Sequence, residues 1–222
     1  MKTRGTLLFA LGLFLSGALP AAASHWCGEN GLVRFSFVEG DSLVSVLDSG
    51  EPQGGVTRVD LYAWLTDVDA VANDGEALLA IGGYELTLDI QGAEAFILEQ
   101  TFPEEGLNVG VGSGVVAYGI TRGQRLEQPG TLLVHWKLMF QGRPENVRIG
   151  LDGSELLSCQ RTEGCQGTGT QALYIGSASS NQLNYLFGAG YVPAWLNPVG
   201  EPDTAAVRGT STWQDVGIFE AR

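Results

Sequence analysis

The sequence predicts an all-β fold: an antiparallel β-sandwich of immunoglobulin-like or jelly-roll type, with a long irregular C-terminal segment and a short terminal helix. Three observations carry this. Several short stretches alternate apolar with polar residues, the period of a strand with one buried face. Glycine, present 32 times, separates those stretches together with Asp, Asn and Pro. Long segments of helical periodicity are missing.

In chain order, Leu32 to Val38 reads as the first strand, with Val33, Phe35 and Phe37 on one face. Asp41 to Leu47 alternates more weakly. A Gly- and Pro-bearing loop then leads into Val56 to Val68. There Val59, Leu61, Ala63 and Leu65 share one face, and Asp60, Tyr62, Trp64 and Thr66 share the other. An acidic loop spans Asp67 to Glu76, and Ala77 to Ile81 follows it. From Gly83 the alternation is cleanest: Tyr84, Leu86, Leu88 and Ile90 oppose Glu85, Thr87, Asp89 and Gln91. A turn at Gln91 to Ala93 separates this strand from the apolar run at Ala95 to Leu98. Leu107 to Ile120 is a Gly-rich element, and Arg122 to Gly130 is a polar turn. Thr131 to Phe140 is the strongest central strand, with Leu132, Val134, Trp136, Leu138 and Phe140 facing the core. Asn146 to Leu151 is expected to pair with it. Leu156 to Cys159 and Ala172 to Ile175 complete a domain over residues 24–176. Residues 177–222 are rich in Ser, Asn, Gly, Pro and Thr, and they are expected to pack on the sandwich or mediate assembly. Tyr185, Phe187, Tyr191 and Trp195 serve as anchors. A capping box at Thr212 to Asp215, with Trp213, Val216 and Phe219 at helical spacing, predicts the docking helix.

The first 23 residues read as a secretory signal peptide. Lys2 and Arg4 precede an apolar run from Leu7 to Leu15, and Ala21 and Ala23 form a small-residue cleavage site before Ser24. The run is too short to span a bilayer, and no later segment is long and apolar enough. Removing 23 of 222 residues leaves 199, one domain with a sizeable core. Without Lys2 and Arg4 the 12 basic residues fall to 10 against 25 acidic, a net charge of −15. Such a surface repels nucleic acid, which needs phosphate neutralisation by Lys or Arg. Export to an oxidising compartment favours a disulfide among Cys27, Cys159 and Cys165. Cys159 with Cys165 closes a tight loop eased by Gly164. Pairing of Cys27 with either would instead tie the N-terminus to a late strand, and spacing does not choose.

Candidate chemistry is sparse. Asp67, Asp69, Asn73, Asp74 and Glu76 offer oxygen ligands on one loop, the donor type that calcium takes. A solvated turn is the plainer reading, because one acidic loop rarely fills a calcium shell. Tyr62 and Trp64 stand two apart on the polar face of their strand. They could stack on sugar rings or form a protein-interface hot spot, or be covered by the C-terminal segment. His135 lies on the non-core face beside Lys137, and nothing in the sequence marks a partner for it. No catalytic residue and no cofactor site is assigned. Gly112-Ser113-Gly114 lacks the first glycine of a serine-hydrolase elbow, and no spacing selects two acids for glycoside hydrolysis.

The run from Gly82 through Tyr84-Glu-Leu-Thr-Leu-Asp-Ile90, then Ala95-Phe-Ile-Leu-Glu99, then Gly130-Thr-Leu-Leu-Val-His-Trp-Lys-Leu138, resembles the strand pattern of cohesin-like bacterial β-sandwiches over about residues 56–155. Related sandwiches include carbohydrate-binding and adhesion modules. Asp89-Ile-Gln-Gly92 stands where cohesins carry Tyr-Asp-Pro. The resemblance implies a jelly-roll-like sandwich that binds protein or glycan without catalysis, and it transfers no functional residue. The expected function is therefore a secreted, non-enzymatic binding or assembly module of the cell exterior. Its partner would be a protein, a polysaccharide or another copy, with strand exchange by the C-terminal segment as one route to assembly. An extracellular carbohydrate-active enzyme on the same scaffold is the alternative.

Overall fold

The computed structural model describes residues 25–26, 31–68, 79–152, 174–177, 185–187 and 190–207. The proposed signal peptide, all three cysteines and the Thr212 helix lie outside them. The strands are β1 (His25–Trp26), β2 (Leu32–Glu39), β3 (Ser42–Val44), β4 (Val46–Leu47), β5 (Val56–Thr66), β6 (Ala80–Gln91), β7 (Ala95–Thr101), β8 (Gly106–Asn108), β9 (Val115–Arg125), β10 (Gly130–Gln141), β11 (Val147–Asp152), β12 (Tyr174–Ser177), β13 (Tyr185–Phe187), β14 (Gly190–Val192) and β15 (Ala194–Leu196). They form a larger sheet of nine strands and a smaller sheet of six. Among the described residues no helix is long and apolar enough to cross a membrane.

The smaller sheet is built on β5, flanked antiparallel by β2 and β10, with β7 beyond β10. The larger sheet is built on β6, with β9 along one edge and β11 and β12 along the other. The alternation read from sequence sets what lies between them. Phe35, Phe37, Leu61, Leu65, Trp136, Leu138 and Phe140 from the smaller sheet meet Ile81, Tyr84, Leu86 and Ile149 from the larger, all fully buried. Apolar side chains on every second residue of each strand leave water together only when the two inner faces stack.

Several expectations are corrected. The sheets are mixed, because β1–β13, β2–β14 and β4–β15 pair in parallel. Asn146 to Leu151 does not pair with the Trp136 strand; β11 lies in the opposite sheet between β6 and β15. The expected inward Leu132 is half-buried, and Leu133 takes the core position. A register shift between Leu132 and Val134 against β5 is the cause. The displaced carbonyls are satisfied by side chains from the larger sheet. Gln124 Nε2 donates to Leu132 O at 2.7 Å, and the Tyr84 hydroxyl donates to Leu133 O. The Gly-rich element at Leu107 to Ile120 is two strands, β8 and β9, and β9 runs on through Arg125 where a turn was expected. Residues 190–196, expected to be irregular, are strands built into both sheets.

The two flanks of the sandwich differ. On one, the chain passes from the smaller sheet to the larger twice: β3 to β4 at Ser45, and β14 to β15 at Pro193. Both crossings lie beside β2, so covalent connections close that flank. Tyr191 adds packing: Arg148 donates to its hydroxyl at 3.0 Å, and Gly150 makes room for its ring, since a Cβ there would sit 2.5 Å from it. On the other flank β7 and β8 are edge strands of their sheets. Phe96, Leu98, Leu107, Val109 and Val111 are exposed on these strands and the turn after them.

Candidate functional site

The outer face of the smaller sheet carries the most chemistry. On β5 the even-numbered residues point outward, which brings Asp60, Tyr62, Trp64 and Thr66 into one row. Register sets their neighbours. Arg34 stands across from Trp64 and Ser36 across from Tyr62 on β2; His135 stands across from Tyr62 and Lys137 across from Asp60 on β10.

Tyr62 and His135 stack face to face, with ring centroids 4.3 Å apart and planes 6° apart. Tyr62 also stacks on Trp64 at 6.4 Å. The indole N–H of Trp64 donates to Ser36 Oγ at 3.0 Å, which fixes the tilt of the ring. His135 does have partners. Its Nε2 lies 2.7 Å from Asp60 Oδ1 and its Nδ1 lies 3.2 Å from Thr101 Oγ1. A carboxylate only accepts, so Nε2–H donates to Asp60, and in the neutral ring the Thr101 hydroxyl donates to Nδ1. Lys137 pairs with Glu99; the hydrogen bond and charge between them lower the Glu99 pKa and raise that of Lys137. Burial, then the charge of Asp60, raises the Tyr62 pKa.

A hydroxyl, an imidazole and a carboxylate in hydrogen-bonded sequence are also the parts of a nucleophile–base–orienter triad. Here the imidazole face is covered by Tyr62, and Thr101 leans back to the His135 carbonyl oxygen at 3.5 Å. The geometry is that of a cross-strand ladder over β5, β10 and β7.

Beside this ladder, Trp64 lines a groove of ≈ 750 Å³ on the β2 side. Leu43, Val44 and Ser45 line it, as do Val192 and Thr204. Pro129 and Gly130 also line it, with Arg34, Thr66 and Asp67. Arg34 Nε donates to Thr66 Oγ1 at 3.0 Å and its Nη2 donates to Asp67 Oδ2 at 3.1 Å, with both charged side chains about half exposed. Asp67 is the one carboxylate among the described residues lining this groove.

Of the residues singled out from sequence, the structure brings Tyr62 and Trp64 together on the expected face. Asp67, read there as a metal ligand, is ion-paired with Arg34. Asp69, Asn73, Asp74 and Glu76 lie outside the described residues, as do Cys159 and Cys165. Arg34, Ser36, Asp60 and Thr101 were missed as members of the site. The outward parity of Arg34 and Ser36 was readable from Val33, Phe35 and Phe37, but their neighbours depend on register.

No protein-family model matches the chain, and no curated protein does. Among solved structures it is similar to the seventh type I cohesin of ScaB from Pseudobacteroides cellulosolvens, with 7% identity and a TM-score of 0.45, covering 79% of this chain and 96% of that one. It is also similar to a cohesin module from a family 33 glycoside hydrolase of Clostridium perfringens, with 11% identity and a TM-score of 0.38, covering 76% and 98% respectively.

Proposed function

We propose that the chain is a secreted, non-enzymatic binding module of the cell exterior, and that the outer face of the smaller sheet is its recognition face. The row Trp64–Tyr62–His135 is the observation that carries this. Large rings half-buried on a sheet face that the sandwich core does not use, each held by a neighbour, lose little freedom when a partner covers them.

The test is retention of the full chain on purified polysaccharides and extracellular proteins, repeated with Tyr62→Ala and Trp64→Ala. Retention on the ligand is expected to fall by roughly tenfold in each variant, the scale of an interface anchor. If both variants are retained like wild type on every ligand, the face is not the recognition face.

The open flank supports a second reading, self-association. Donation of residues 190–196 to a neighbour would first require removing them from the chain's own sheets. The β7 edge is a simpler contact. A bulge at Leu98 disfavours strand addition there, so the contact would be made by the exposed Phe96, Leu98 and Val111. Wild type should associate with rising concentration in light scattering, and Phe96→Lys with Leu98→Lys should abolish it. A wild-type chain that stays monomeric at every concentration sinks this reading.

A further inference from the structure

We infer that the groove beside Trp64 binds a neutral polyhydroxylated ligand, a segment of an uncharged glycan. The inference rests on the recognition-face reading above and assigns its ligand class. A groove of ≈ 750 Å³ is of small-ligand size. Its lining pairs an indole of fixed tilt with Leu43, Val44 and Val192, which suits the C–H faces of a sugar ring.

The rim chemistry chooses among ligands. Arg34 and Asp67 form one ion pair in the groove's described lining, so a guanidinium and a carboxylate stand side by side and their two charges cancel. Thr66, Ser45 and Thr204 add hydroxyls. A vicinal diol is donor and acceptor at once and matches such a rim. An acidic ligand gains nothing from a cancelled charge and is repelled by a chain of net charge −13. A basic ligand finds the groove's one described carboxylate already paired with Arg34. A peptide adding as a strand needs an open backbone edge. Along that edge of β2, β14 occupies Leu32 to Arg34 and β3 occupies Phe37 to Glu39.

Calorimetric titration of the full chain tests this, with cello-, xylo-, manno- and malto-oligosaccharides as neutral probes and oligogalacturonate as the acidic one. Binding of at least one neutral probe is expected, and none of the acidic probe. Affinity should fall roughly tenfold in Trp64→Ala and stay within about threefold in Trp64→Phe, which keeps a ring in place. Arg34→Gln and Leu43→Asp alter exposed side chains at the rim and should each weaken binding without disturbing the core. Silence of every neutral probe overturns the inference, as does neutral-probe binding that Trp64→Ala and Arg34→Gln leave unchanged. A purified protein ligand whose retention is lost in Tyr62→Ala and Trp64→Ala, with every neutral probe silent, would overturn the glycan assignment and leave the recognition face standing.

Discussion

Trp136→Ala is expected to lower the unfolding free energy by about 3–5 kcal/mol, the range for removing a fully buried large aromatic. Trp136 has no exposed surface, and its ring stacks on Phe35 with centroids 6.4 Å apart. Its indole N–H donates to Gln100 Oε1 at 2.8 Å, which ties β10 to the edge strand β7 from inside the sandwich. Truncation removes the packed ring and leaves the Gln100 oxygen without that donor, and both changes act in the same direction. A domain of this size holds roughly 5–15 kcal/mol in total, so the variant should be marginal. Urea unfolding gives the midpoint and slope. The midpoint should drop with the slope unchanged, while Leu98→Ala, on the exposed flank, should change the unfolding free energy by less than about 0.5 kcal/mol. Trp136→Phe keeps most of the volume and loses the hydrogen bond, so it should fall between the two. A loss below about 1 kcal/mol in Trp136→Ala would mean that the core does not pack around this residue.

Trp136 also shows what a sequence can reveal about such a fold. Its inward direction follows from alternation with His135 and Lys137, and the same reasoning places Leu61, Leu65, Tyr84 and Leu86 in the core, as observed. Alternation fails where a strand slips by one residue. Leu132 and Leu133 are identical side chains in adjacent positions, so nothing local says which one faces inward. The choice depends on Gln124 and Tyr84 reaching across from the other sheet to take the displaced carbonyls. Sheet switches are equally silent. Val44-Ser45-Val46 reads as one weak strand because the residues on either side are alike, yet each half pairs in a different sheet. At Gly190 to Leu196 the signal misleads: Pro193 and runs of three residues argue for loop, while parallel pairing to β2 and β4 makes them strands. The site divides in the same way. Tyr62 and Trp64 were legible because side-chain direction is a property of one strand. The Asp60–His135–Thr101 ladder was not, because it depends on the register of β5, β10 and β7 together.

Asn197→Ala should cost about 3 kcal/mol, a large loss for a polar residue, because several chain segments meet on one amide and burial makes unpaired groups costly. Asn197 follows β15 with φ +49, is almost fully buried, and holds the chain that leaves β4 and the chain that enters β11. Its Oδ1 accepts from Ser49 N at 2.8 Å, and its Nδ2 donates to Ser49 Oγ at 2.9 Å and to Pro144 O at 2.8 Å. Its main chain bonds Leu47 O and Asn146 N, so backbone and side chain together clip the ends of β4 and β15 to the start of β11. Asn tolerates the left-handed region better than most residues, which adds a conformational reason for it at this position. The two causes separate by substitution. Asn197→Gly relieves the backbone but loses the amide, so it should be less damaging than Asn197→Ala by up to about 1 kcal/mol. A Gly variant as stable as wild type would mean that the backbone alone is responsible. The loss should also be local first. Pro193 joins β14 directly to β15, and Val192 of β14 lines the Trp64 groove. Hydrogen exchange at Tyr191, Trp195 and Leu196 should therefore accelerate in Asn197→Ala before β5 and β10 open. Ligand affinity at the groove should fall with it, although Asn197 does not line the groove.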